Sequence, residues 1–236
     1  MLEVSLIHKF NIFAHVAFGV VCIVFGLLMV LLPKGNMQHK RNGKYFVAFA
    51  SVSIGAALIG AIIFRSKIDL LAVSFLVAYH IYSGPRALNL KNRGRNLADF
   101  IPAIFIFLIG IALYYGYKAG LQVHWLGAKI IATAGGLVFY GGWDCLRTLF
   151  PISSRIRLNI AEHAVKMVSI VGALLSVGAA TLMKTECAYI PLAISAIFGI
   201  LALGFGIISW INPARYSVGV KSHDALNARL KVESEL

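Results

Sequence analysis

Apolar runs of about twenty residues recur along this chain, each broken off by a proline, a glycine or a group of lysines and arginines. A helix rising about 1.5 Å per residue needs roughly that length to cross the hydrocarbon of a bilayer. Lipid offers no water to satisfy backbone N–H and C=O groups, so only helices and closed barrels span it, and runs this long select helices. About seven spans are read, at residues 10–32, 44–64, 68–84, 98–117, 125–149, 159–183 and 189–211. The third is short and the fifth rich in glycine, so these two fit the pattern least well. The expected fold is an all-α transmembrane bundle in one domain (residues 1–211), followed by a polar cytoplasmic tail (residues 212–236). With 59% hydrophobic and 13% charged residues the chain is far more apolar than a soluble domain, which carries about 25% charged residues. Its first run is too long for a signal-peptide core, and no small-x-small cleavage site follows it, so it reads as a retained helix.

The prolines place the cuts. Pro33, Pro85, Pro151 and Pro213 each follow a run, where a residue that cannot continue a helix belongs. Pro102 and Pro191 fall in first turns, where the missing N–H is not needed. Basic residues place the sides. Lys34, Lys40 and Arg41, then Arg86, Lys91, Arg93 and Arg95, then Arg155 and Arg157, and finally the tail lie in alternate connections, and the remaining loops carry few. The positive-inside rule puts the N-terminus outside and the C-terminus in the cytoplasm. Tyr114, Tyr115, Tyr117 and Trp125 then mark the outer interface, and Tyr45, Tyr82, Trp143 and Trp210 the inner one. The net charge of +13 is thereby explained by orientation and by attraction to anionic headgroups, not by nucleic acid. Ser51-x-x-x-Gly55, Ala56-x-x-x-Gly60 and Gly172-x-x-x-Ser176 are small-residue faces, suited to close packing within the chain, in a homo-oligomer or against partner membrane subunits. The three cysteines show no paired spacing and support neither a disulfide framework nor a zinc ribbon.

Ionisable residues inside a membrane cost about 2.5–3.5 kcal/mol each on insertion scales, and those present are functional candidates. Counted along the helices, His8, His15 and His124 lie toward the outer face. His80 and His163 lie about one turn in from the inner face, with His39 in the inner loop and Asp99, Asp144 and Glu162 at similar depth. His39, His80, His163 and Asp144 have the ligand types for zinc or iron, and two of the imidazoles could hold a haem b. His15 and His39 sit at opposite faces and cannot share one metal. Each histidine also has a plainer reading, as a hydrogen-bonding group between helices. Glu162 with Lys166 (i, i+4) and Asp144 with Arg147 (i, i+3) read as local structural pairs, and His163 with Met167 as packing. No phosphate loop, Ser-His-Asp set or H-E-x-x-H is present, and the seventh span has no lysine for a retinal Schiff base.

His15-x-x-x-Gly19, Lys34-Gly35 and His39-x-x-x-Gly43-Lys44 resemble the opening motif of the bacterial membrane proteins grouped as domain of unknown function 2306. Ser83-Gly84-Pro85-Arg86-Ala87-Leu88 is similar to the end of that group's third span, and Asp144-x-x-Arg147 and His163-x-x-x-Met167 to its second half. His80 has no counterpart in the pattern. The resemblance implies a small multi-pass protein of the bacterial inner membrane and points to His15, His39, Arg86, Asp144, Arg147 and His163, without implying an activity.

Three functional readings follow. The first is a His-based metal or haem site at the cytoplasmic helix ends, serving redox or metal handling. The second is a transporter or permease in which Arg86, Asp144, Arg147, Glu162 and His163 line a polar path. The third is a non-catalytic assembly protein. Against the second, no span is broken by proline in mid-bilayer, as carriers often are.

Overall fold

The computed structural model describes residues 2–64, 68–90, 95–120, 127–151, 154–183 and 189–212. Among them the fold is all-α, with seven helices: α1 (Leu2–Leu31), α2 (Met37–Ile63), α3 (Ile68–Leu90), α4 (Leu97–Lys118), α5 (Gly127–Leu146), α6 (Arg155–Leu182) and α7 (Tyr189–Ile211). A 3-10 turn, Arg147–Leu149, extends α5. Five of these helices contain stretches long and apolar enough to cross a membrane: Leu6–Leu31, Met37–Ile63, Leu97–Lys118, Arg157–Leu182 and Tyr189–Ile211. Their outward faces carry large apolar side chains such as Phe10, Phe13, Ile62, Phe105, Ile200 and Ile207, as lipid contact requires. α3 and α5 are not among the five. They spend their polarity inward, α3 on Tyr79, His80 and Ser83 and α5 on Asp144, all buried.

Three antiparallel hairpins, α1–α2, α4–α5 and α6–α7, surround α3, which packs on α2, α4, α5 and α6. One core joins α1, α2, α3 and α6 through Cys22, Phe46, Ile54, Val77 and Ile170. A second joins α3, α4 and α5 through Tyr79, Ala103, Ile106, Ile130 and Leu137. The α4–α5 contact is close because of glycine. A Cβ on Gly141 would stand 2.6 Å from the Ala103 carbonyl oxygen, and one on Gly110 2.9 Å from that of Ala134.

Several boundaries differ from the sequence expectation. α2 begins at Met37, because Asn36 caps it: its side chain accepts from the His39 N–H at 2.7 Å, after Gly35 turns the chain at φ 81°. His39, Lys40 and Arg41 are therefore helical rather than in a loop. The Lys34 ammonium donates to the Met29, Val30 and Leu32 carbonyls at 2.5, 2.7 and 3.1 Å and closes the C-terminus of α1. It also lies 5.0 Å from the Phe205 ring centroid, and burial lowers its pKa from the ordinary 10.5. Pro85 does not end a helix. It lies inside α3, which runs on to Leu90 and so carries Arg86 on helix as well.

Pro102 lies within α4, and its missing N–H frees the Ala98 carbonyl one turn back. The Tyr82 hydroxyl of α3 donates to that carbonyl at 2.9 Å. Of the small-residue faces, Gly172 meets Phe198 and Gly60 meets Asn11, whereas a methyl added at Gly55 would meet nothing within 4 Å.

Candidate functional site: a buried ionic network

The carboxylates whose side chains are described are Asp99, Asp144 and Glu162, and all three are buried at one end of the bundle, where α3 and α5 finish and α4 and α6 begin. Lys166 lies about eleven residues into α6, roughly 16 Å along its axis. Helical side chains lean toward the N-terminus, so its ammonium reaches back to the level of Glu162. It donates to Glu162 Oε1 at 2.5 Å and to Asp144 Oδ2 at 2.6 Å, and none of its side chain is exposed.

Arg95, just before α4, bridges the same two carboxylates. Its Nη2 donates to Glu162 Oε1 at 2.8 Å and Oε2 at 3.0 Å, and its Nη1 stands 3.2 Å from Asp144 Oδ2. Arg147, in the turn after α5, pairs with Glu162 and donates to the Asn159 side chain. The Tyr79 hydroxyl donates to Asp144 Oδ2, and the Lys166 ammonium lies 5.0 Å from the Tyr79 ring centroid. Beside this group Arg86 pairs with Asp99, and Asp99 forms a capping box with Asn96 at the start of α4. Five elements thus meet through charge, and each carboxylate of the pair is held by at least two cations. Buried ions need this degree of pairing, because one left alone costs several kcal/mol.

The histidines are distributed differently. His80 is buried next to the network, its ring edge-on to Tyr140 with centroids 4.3 Å apart. The His163 Nδ1–H donates to the Gly84 carbonyl at 3.1 Å, an α6–α3 contact. His39 lies in the first turn of α2. His15 is remote from all of these. Its Nδ1–H donates to the Ser53 carbonyl at 2.9 Å, and the Ser53 hydroxyl donates to the His15 carbonyl at 2.9 Å, joining α1 to α2. His8 packs against Phe64, and His124 lies outside the described residues.

The ligand set of His39, His80, His163 and Asp144 is therefore not assembled. Among the described residues no three histidine, cysteine, aspartate or glutamate side chains are grouped to hold a metal ion. The physical reason is that Asp144 is taken up by Lys166, Arg95 and Tyr79, and His163 by a backbone carbonyl. Asp144 and Arg147 are not a local pair either: each reaches across to α6 instead. The Glu162–Lys166 pair is present, as the centre of a network rather than an isolated helix-surface contact.

Sequence reading missed Arg95, Lys166 and Tyr79 as site residues. The available signal was Lys166, a lysine deep in an otherwise apolar stretch of α6. Arg95 reads as one more orientation charge, and Tyr79 as core.

No protein-family profile matches the chain. No curated protein and no solved structure is significantly similar to it.

Proposed function

We propose that this chain is a multi-pass carrier of small charged solutes, with the Asp144–Lys166–Glu162–Arg95 network as its binding and gating centre. The observation that carries the reading is the complete burial of Lys166 between two carboxylates, inside a bundle of membrane-length helices. Charges kept at that depth are a standing cost to insertion, and they mark ion and substrate paths in membrane proteins. The network is also divided among separate elements, with α5 and α6 holding the carboxylates and α4's approach holding Arg95. Relative movement of the hairpins would break and remake its pairs, which is what alternating access requires of a gate.

In this reading all seven helices cross the membrane. The N-terminus is outside and the C-terminus cytoplasmic, which puts the network in the inner half of the bilayer. The resemblance to the domain of unknown function 2306 proteins supports a bacterial inner membrane as its location. A metal site has less support, since among the described residues no three such ligands are grouped.

The test is electrical. Proteoliposomes on a solid-supported membrane are given concentration jumps of sodium phosphate, sodium lactate, potassium chloride and arginine hydrochloride. The native chain gives a transient current with at least one of them, and Asp144→Asn, which removes one charge while keeping the side-chain shape, reduces it at least about tenfold. Silence of the native chain to all four overturns the carrier reading.

A further inference from the structure

The Lys166 ammonium sits in a cation site built by other side chains. It donates to Glu162 Oε1 at 2.5 Å and to Asp144 Oδ2 at 2.6 Å, and the Tyr79 ring centroid is 5.0 Å away. Two carboxylates and an aromatic face attract a small cation whether or not it is tethered to the chain. Asp144 Oδ1 is also buried, and among the described residues it has no hydrogen-bond partner. The carboxylates therefore offer more oxygen than one ammonium uses, which suits a metal cation that gathers several oxygens.

Charge limits what can enter. The buried Arg95, Arg147 and Lys166 are matched by the buried Asp99, Asp144 and Glu162, and the remaining cation, Arg86, is 30% exposed. A further cation would upset this balance in a low-dielectric interior, which is strongly unfavourable. One resident cation has to lose its charge when another arrives. Arginine keeps its proton at any pH a protein meets, whereas lysine can release one. Lys166 is the one lysine among the buried cations of the described network. Glu162 faces it from α6, Asp144 from α5, and Tyr79, with His80 beside it, from α3. Arg95 and Arg147 reach the same carboxylates from the approach to α4 and the turn after α5. The helix α7, which packs closely on α6, carries no charged side chain. The carboxylates hold the proton on Lys166, and the two guanidiniums oppose them.

We propose that Asp144, Glu162 and Tyr79 form a site for a small monovalent metal cation, sodium or potassium, which Lys166 occupies until it gives up its proton. The entering cation takes over the carboxylate contacts of the ammonium. The Nζ–H bond breaks, its electron pair stays on the nitrogen, and the proton passes to water on the side the network faces. The neutral amine withdraws, and the buried charges are again equal in number. Each turn exchanges one cation for one proton. This assignment rests on the carrier reading above for transport, though not for cation binding itself.

The experiment uses the full chain in proteoliposomes at pH 8 that enclose a pH-reporting dye. Sodium chloride or potassium chloride added outside is expected to turn the interior alkaline, as cations enter and protons leave, and choline chloride of equal strength is not. Lys166→Arg keeps the positive charge but cannot release the proton, and should slow the alkaline shift at least about tenfold. Binding is read separately, by thermal unfolding in nanodiscs at pH 6. Lys166→Met leaves the two carboxylates without their ammonium, so sodium or potassium should raise its Tm saturably by a few degrees, and choline should not. No alkaline shift with either salt, or one undiminished in Lys166→Arg, overturns the exchange. A Tm of Lys166→Met that is the same in sodium, potassium and choline overturns the site. Current in the four-salt test without an alkaline shift would remove the exchange and leave the carrier, and silence in both would remove both.

Discussion

Tyr82 and Pro102 explain one another. The proline removes the N–H that would hold the Ala98 carbonyl inside α4, and the tyrosine of α3 supplies the missing donor at 2.9 Å. Tyr82→Phe should therefore lower stability by about 1 kcal/mol, the usual net worth of such a bond. In a Pro102→Ala background the backbone N–H returns, and the same substitution should cost close to nothing. A double-mutant cycle on thermal unfolding in detergent checks this, and equal costs in both backgrounds would show that the two residues are independent. The pair illustrates a wider point about single residues. Lys166, Arg95 and Tyr79 each have an ordinary sequence-level reading, as a helix-surface ion pair, a loop charge and a core aromatic. Their role appears only when Asp144 and Glu162, on different helices, are brought to them.

At the level of helices, the sequence pattern reads most accurately where one force acts alone. α7, a run of apolar residues with nothing to bury but itself, spans Tyr189–Ile211 as hydropathy and Pro191 indicate. The start of α2 and the end of α3 depart from the pattern because capping and tertiary contacts override composition there. Asn36 begins a helix within a basic stretch, and α3 continues past Pro85 because Arg86 is held by Asp99 of α4. The helices that carry His15, His80 and His163 were legible from residue counts, whereas their partners were not, since partners depend on how helices rotate about their axes. Glycine shows the same limit. The close approach of α4 and α5 depends on Gly141, which the sequence marks only as part of a glycine-rich run. Gly141→Ala drives a methyl against the Ala103 carbonyl and should cost about 1–3 kcal/mol. Gly178→Ala in α6 meets nothing within 4 Å and should be neutral or stabilising, by up to about 1 kcal/mol. Thermal unfolding of the two variants side by side gives the comparison, and a shared sign would refute the packing argument.

For the molecule as a whole, the proposed orientation fixes which compartment the ionic network opens toward. A reporter fused after Leu236 should be active only in the form that works in the cytoplasm, and a cysteine placed at the start of α1 should react with an impermeant thiol reagent from outside. Activity of a periplasmic reporter at the C-terminus would invert the assignment and move the network to the outer half. α3 also bears on how the chain enters the membrane during synthesis. Three of its polar groups find their counterparts in segments made afterwards: Asp99 for Arg86, Asp144 for Tyr79, and the α6 helix for the Gly84 carbonyl. The helix at the centre of the finished bundle is thus poorly matched to lipid when it first emerges from the ribosome. In the proposed seven-span arrangement it is expected to stay beside the insertion machinery until α5 and α6 arrive.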